Sequence, residues 1–334
     1  MPVHRQRVMP VGGLSFETAV MSDQHVNADT FVRAETDRMF AAVLADAGGV
    51  NRLNHSRTPT PLDHQPVIRM NRDTLYSAAV VDISEGATLG LPDTGGRYLS
   101  AMVVNRDHYV NAVLHEPGDH ELTTDRHDTD FVLVAIRTLV DPADPEDVAA
   151  VNALQDRITL SAAAARPFTF PDYDAASLDR TRSALLELAK DYRGFDRAFG
   201  SRQDVDPVRH LVGAAAGWGG LPSSEATYVN VDPGLPVGEY QVTVRDVPVD
   251  GFWSISLYNA HGYFDDDGSV VSVNNLTAQR DSDGAVTVHF GGCDDGRPNC
   301  LGIKEGWNYL VRLYRPRTEI LDGTWSFPSV TPVS

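Results

Sequence analysis

The spacing of hydrophobic residues changes character several times along the chain. Over residues 29–49 it is helical: Phe31, Val32, Met39, Phe40, Val43 and Leu44 recur on one stripe, Asp29 stands as an N-cap, and Gly48-Gly49 stop the run. Residues 50–66 are polar and carry prolines, which predicts a loop. From Val67 to Val140 the period is that of strands. The runs 76–81, 98–104, 108–114 and 131–138 are rich in β-branched and aromatic residues, and turn clusters such as Pro92-Asp93-Thr94-Gly95-Gly96 separate them. Short strands at this spacing predict an antiparallel sheet and not a βαβ array.

A helical stretch follows. Asp144-Pro145-Glu146-Asp147 places proline in a first turn and acids at the positive end of the helix dipole, and Val148, Val151, Leu154 and Ile158 continue an apolar stripe. A second helix is predicted over 175–192, with Leu178, Leu185 and Leu188 on its face and Gly194 at its end. Strand runs return at 240–245, 252–258, 269–274, 286–290 and 309–314. An all-β unit of this size closes as a sandwich or jelly roll, for which Trp253, Tyr258, Phe290, Trp307, Tyr309, Tyr314 and Trp325 supply core volume. The expected fold is therefore mainly β with a helical insert. An N-terminal segment with one helix (1–60) precedes a β-sandwich-like domain (61–142), a helical segment (143–215) and a C-terminal jelly-roll-like β-sandwich (216–334).

Composition narrows the function classes. The 334 residues suit two domains, and the net charge of −18 argues against nucleic acid and against anionic membrane surfaces as partners. The first residues show no apolar core of signal-peptide length and no stretch is long enough to span a bilayer, so the expected location is the cytoplasm. Cys293 and Cys300 flank a turn-rich loop, where a short disulfide and two separate thiols are both open.

Standard chemical signatures are missing. No Gly-x-Ser-x-Gly elbow or Walker loop occurs, and Gly217-Trp218-Gly219-Gly220 follows no strand–helix pattern that cradles a dinucleotide, so it reads as a tight turn. His115-Glu116-Pro117-Gly118-Asp119-His120 has the wrong spacing for a zinc helix. Asp265, Asp267 and Gly268 begin like a calcium loop, but Leu276 stands where the closing acid belongs. Neither a metal nor an organic cofactor is expected.

Two stretches carry a resemblance. The first is Asn71-Arg72-Asp73-Thr74-Leu75-Tyr76-Ser77 with Asp82-Ile83-Ser84, Leu91-Pro92-Asp93 and Gly96-Arg97-Tyr98. It resembles the bacterial family named domain of unknown function 1254. The second runs from Asp246-Val247-Pro248-Val249-Asp250-Gly251-Phe252-Trp253 through His289-Phe290-Gly291, Asn299-Cys300-Leu301 and Gly306-Trp307-Asn308-Tyr309 to Arg312-Leu313-Tyr314-Arg315-Pro316. It resembles domain of unknown function 1214, the usual C-terminal companion. The resemblance implies a β-sandwich, a helical insert and a jelly-roll-like unit, and leaves chemistry open. Gly302 stands where the familiar run has proline.

Candidate chemistry rests on a polar set at predicted strand ends. His108 is a candidate general base with Asp73 fixing its tautomer, Tyr76 a proton donor, and Arg72 a bidentate anion holder. Asn71, Asn105, Trp218, Tyr228, Trp253, Asn274 and Arg312 are candidate substrate-binding residues. Arg312 lies in the apolar run 309–314, so it must be paired or functional. The competing interpretation makes Asn71-Arg72-Asp73, like its echo Asn105-Arg106-Asp107, a structural turn, with the Trp and Tyr residues in the cores. The favoured expectation is a small-molecule hydrolase or lyase, without organic cofactor, acting in a cleft between the β domains with Asp73 and His108 in hydrogen-bond contact. The alternative is a non-catalytic small-ligand or carbohydrate-binding protein with an exposed Trp218 or Trp253 platform. A homo-oligomer built through the sandwich edges is a third reading.

Overall fold

Strand alternation sorts the N-terminal residues onto two faces, and both faces are covered. A computed structural model describes residues 23–65, 68–192 and 194–333. The sequence readings for residues 1–22 and for Val67 lie outside these. Eight strands build the first unit: β1 (Asn54–His55), β2 (Thr74–Asp82), β3 (Ala87–Leu91), β4 (Leu99–Asn105), β5 (Val110–Leu114), β6 (Gly118–Leu122), β7 (Phe131–Leu139) and β8 (Thr159–Ala162). They form a five-stranded antiparallel sheet, β1-β2-β7-β4-β5, and a three-stranded one, β6-β3-β8. Ala79, Val81, Ala101, Val103, Val132, Val134 and Ile136 face the small sheet and its Leu89, Leu91 and Leu122. On the opposite face Val80, Phe131 and Leu133 pack on Phe40, while Met102, Val104 and Leu139 pack on Phe252 and Tyr314 from the second unit. Burial on both sides explains why β4 is buried at every position and reads as a nearly continuous apolar run.

The second unit contains β9 (Ala226–Val231), β10 (Tyr240–Val244), β11 (Trp253–Tyr258), β12 (Ser272–Asn274), β13 (Val286–Phe290), β14 (Cys300–Leu301), β15 (Asn308–Tyr314) and β16 (Thr331–Pro332). Two four-stranded sheets, β14-β13-β10-β16 and β12-β11-β15-β9, enclose a core of Val242, Ile255, Val288, Phe290, Trp307, Tyr309 and Val311. Cys293 and Cys300 are joined as a disulfide beside β13 and β14. The protein is therefore mainly β, with two sandwich units.

Among the described residues six α-helices complete the fold: α1 (Phe31–Ala47), α2 (Thr124–His127), α3 (Pro145–Gln155), α4 (Ala175–Ala189), α5 (Pro207–Ala216) and α6 (Thr318–Leu321). Among the described residues no helix is long and apolar enough to cross a membrane. Helices α1, α4 and α5 pack through Phe31, Ala34, Leu178, Leu185 and Val212. Several details differ from the sequence reading. Thr30, not Asp29, holds the N-cap position of α1. Leu188 is 59% exposed, because only Leu178 and Leu185 face the neighbouring helices. The segment 143–215 also contributes β8, a strand of the small sheet, and α5, which Asp206 caps by accepting from the Val208 and Arg209 amides. Strands β3, β6 and β8 are weak in the sequence because their polar and small residues carry little strand propensity, and tertiary pairing orders them.

Candidate functional site

The two units meet sheet face against sheet face, and cross-strand register decides what lies between them. On the N-terminal side Tyr76 of β2 and Arg137 of β7 stand directly opposite. On the C-terminal side Tyr228 of β9 and Arg312 of β15 do the same. Alternation sends Leu310, Arg312 and Tyr314 away from the core positions Tyr309, Val311 and Leu313 and toward the first unit. A recess of about 530 Å³ opens there, lined by these residues with Asn71, Phe195, Phe199 and Trp218.

Arg137 is the outstanding group of the recess. It is only 8% exposed, its Nη2 donates to the Gly219 carbonyl at 3.0 Å, and its buried Nη1 has no hydrogen-bond partner among the described residues. Its guanidinium lies 5.6 Å from the centre of the Tyr76 ring. Burial opposes its charge, but the phenols of Tyr76, Tyr228 and Tyr314 around it hold its pKa above the ordinary value. No carboxylate pairs with it among the described residues. A buried arginine without a counter-ion costs several kcal/mol, so an anion in the recess is the natural compensation.

Asn71 organises the phenols. Its side-chain amide nitrogen donates to the hydroxyls of Tyr76 and Tyr314, each at 3.2 Å, and to Thr74 Oγ1 at 3.1 Å. Its oxygen accepts from the Asp73 amide, which fixes the turn. Burial pushes the Tyr76 phenol up, but the adjacent Arg137 charge and the hydrogen bonds from Thr74 and Asn71 outweigh it, leaving the pKa below the usual phenol value. Tyr314 goes the other way: burial and the neighbouring phenols Tyr228 and Tyr76 raise it well above that value.

Arg312 closes the floor and is fully engaged. Its guanidinium donates to Ser256 Oγ, to the Tyr258 hydroxyl, and to the carbonyls of Arg69 and Met70, and Asp73 lies 3.8 Å away. Asn274 donates to Asp73 at 3.2 Å from beneath the floor. These bonds tie the 69–73 segment to the second unit, so Arg312, Asp73 and Asn274 form a pin between the units.

The remaining wall is the glycine turn that the sequence marked. A Cβ at Gly220 would sit 2.3 Å from the Phe199 ring, and Gly219 has φ of 77°, so only glycine lets this turn close over Phe199. The turn carries Trp218, half-exposed to the recess, with its indole N–H on Thr36 Oγ1 at 3.1 Å. His108 stands behind it, stacked on the indole at 5.1 Å and 20°.

Of the expected site residues, Asn71, Tyr76, Trp218, Tyr228 and Arg312 line the recess, and Asp73 and Asn274 support it. The other four stand outside it. His108 is fully buried, and its Nε2 accepts the Gly219 amide at 2.9 Å, so the lone pair expected to act as a base is already used. Burial, with a smaller contribution from His210, takes its pKa down to about 3. Asp73 and His108 therefore do not pair. Arg72 turns outward, donating to the Thr60 carbonyl and lining a different groove. Trp253 is buried in the C-terminal core. Asn105 is buried in its own turn, donating to the His127 carbonyl. Arg137 and Tyr314 were missed as site residues. A lone arginine in the apolar run 131–138 was the available signal for Arg137, by the same reasoning that marked Arg312. Among the described residues no group of three or more His, Cys, Asp or Glu gathers to hold a metal, and Lys304 occupies the Asp265–Asp267 turn.

Comparison with known proteins agrees with this architecture. Residues 50–125 match the family described as protein of unknown function DUF1254, and residues 235–318 match the one described as protein of unknown function DUF1214. The crystal structure of the VPA0106 protein from Vibrio parahaemolyticus is similar, with 18% identity and a TM-score of 0.71 over 92% of this chain and 98% of that one. An uncharacterized protein from Burkholderia cenocepacia is similar at 15% identity with a TM-score of 0.50, over 91% of this chain and 88% of that one. No curated protein matches the sequence. The chain thus carries a DUF1254 match in its N-terminal half followed by a DUF1214 match in its C-terminal half.

Proposed function

We propose that the inter-domain recess binds a small organic anion and that the chain acts on it as an enzyme, a hydrolase or lyase without organic cofactor, with the geometry favouring the lyase half. The observation that carries this reading is Arg137, buried, charged and with Nη1 unpartnered. A carboxylate on that nitrogen restores the missing charge and hydrogen bond together. Two phenols with pKa values pushed apart lie beside it, which is the pattern of an acid–base pair. In an elimination, the minor fraction of Tyr76 present as phenolate, enlarged by its lowered pKa, removes the proton next to the carboxylate. The C–H electrons form the double bond as the C–O bond to the leaving group breaks. Tyr314 gives that oxygen its proton, and the two phenols then exchange protons with solvent in the open recess.

A panel of organic carboxylates and their neutral amides tests the anion site by thermal shift. A ligand at a hundredfold excess over its Kd stabilises the native state by about 2.7 kcal/mol. Acids are expected to raise Tm, amides to leave it unchanged, and Arg137→Gln to abolish the shift. A shift that survives Arg137→Gln, or none with any acid, sinks the proposal. The second reading, a non-catalytic binding protein, is supported by the half-exposed Trp218; it predicts the same shifts and no turnover in Tyr76-dependent elimination. The cytoplasmic location is part of the proposal on one condition, because Cys293 and Cys300 are bonded and the cytosol holds such pairs reduced. Thiol labelling in cells decides it: two free thiols fit the cytoplasm and none fits an oxidising compartment.

A further inference from the structure

Two features of the recess are not used by the anion reading alone: how few of its charges are free, and how rigidly its indole is held. Three arginines line it. Arg312 spends its donors on Ser256, Tyr258 and the Arg69 and Met70 carbonyls. Arg69 donates from Nη1 to Asn230 and lies at the exposed rim. Arg137 alone is buried with a nitrogen to spare. The recess therefore offers one desolvated positive group, which balances one negative charge.

The indole of Trp218 ends a stack of four rings. It lies on His108 at 20°, His108 lies on His210 at 29°, and His210 lies on Tyr109 at 9°, with centroid separations of 5.1, 5.4 and 4.7 Å. Each imidazole is pinned: His108 accepts the Gly219 amide, and His210 bonds the carbonyls of Ala198 and Asp107. With its own N–H on Thr36, the indole is held in place by these partners where it lines the recess. Arg137 and Trp218 are joined through a single turn, since the Gly219 carbonyl accepts from Arg137 while the Gly219 amide is held by His108. The distance from charge to ring is thus set by backbone. A fixed ring rewards a flat partner, because stacking is lost when the ligand is puckered.

We infer that this recess favours a flat organic monocarboxylate, the alkenyl carboxylate that such an elimination releases or an aryl analogue of it, whose carboxylate meets Arg137 and whose body lies against Trp218. The inference rests on the anion reading above. Calorimetric titration of the full chain with benzoate, cinnamate, cyclohexanecarboxylate, benzamide and phthalate tests it. Benzoate and cinnamate are expected to bind at least about tenfold more tightly than cyclohexanecarboxylate, which matches a difference of about 1.4 kcal/mol. Benzamide, without charge, and phthalate, with a second one, are expected to bind more weakly than benzoate. Trp218→Leu is expected to erase the preference for flat acids while cyclohexanecarboxylate binding persists. In the unaltered chain, cinnamate is expected to quench tryptophan fluorescence and cyclohexanecarboxylate to leave it unchanged, a readout that needs no variant to fold. Equal affinity for flat and puckered acids overturns the ligand class and leaves the anion site standing, as does tighter binding of phthalate. Absence of binding by every carboxylate overturns both.

Discussion

The tripeptide Asn-Arg-Asp occurs twice, at 71–73 and at 105–107, and the two copies have different fates. Locally they are the same device. In each, the Asn oxygen accepts the amide of the Asp two residues on, at 2.8 and 2.9 Å, and a strand begins soon after, β2 at Thr74 and β5 at Val110. The partners differ. Asn71 turns its amide nitrogen to the phenols of Tyr76 and Tyr314, whereas Asn105 turns it to the His127 carbonyl. Asp73 is fully buried beside Arg312 of the other unit, whereas Asp107 pairs with Arg33 at a partly exposed position. The residue after the tripeptide is Thr74 in one copy, bonded to Asn71, and His108 in the other, locked to Gly219. The turn is a local product of asparagine chemistry; whether it serves a site depends on what the fold sets against it.

The largest expected contrast is between the two aspartates. Asp73→Ala leaves the buried Arg312 without its nearest carboxylate and is expected to cost about 3–5 kcal/mol, against about 0–1 kcal/mol for Asp107→Ala. Denaturant titration of both variants measures this, and equal losses would erase the distinction between pin and surface pair.

The next contrast is in pH. His108 is neutral in the fold, with a pKa of about 3 against an ordinary 6.5. The unfolded chain takes up the proton first, so this histidine's contribution is complete above 6.5 and declines as pH falls toward 3, by up to about 1.4 kcal/mol per unit. Imidazole NMR is expected to show no His108 midpoint above pH 4. A midpoint near 6.5 would place the ring in solvent and break its bond to Gly219.

The smallest effect sharpens the role of Asn71. Asn71→Leu removes a hydrogen bond to the Tyr76 phenolate worth about 1 kcal/mol, so the Tyr76 pKa is expected to rise by somewhat under one unit. Asn105→Leu leaves that phenol untouched. Ultraviolet phenolate titration, with Tyr76→Phe to assign the transition, separates the two, and an unchanged Tyr76 in Asn71→Leu removes Asn71 from the site.

Much of this was legible in the chain. The strands β2, β4, β7, β11, β13 and β15 are carried by β-branched and aromatic runs, and α3 by Asp144 and Pro145, because these signals depend on neighbours a few residues away. The halves of the fold and five of the recess residues, Asn71, Tyr76, Trp218, Tyr228 and Arg312, were nameable on the same basis. Tertiary structure alone decided which of the polar residues share a space. Arg72 and Tyr76 are four residues apart and face different grooves, while Asn71 and Tyr314 are 243 residues apart and bonded. Sequence spacing fixes a residue's face on its own strand, but a charge such as Arg137 acquires meaning only from what surrounds it when two sheets close, since the cost of a buried charge depends on the environment assembled around it.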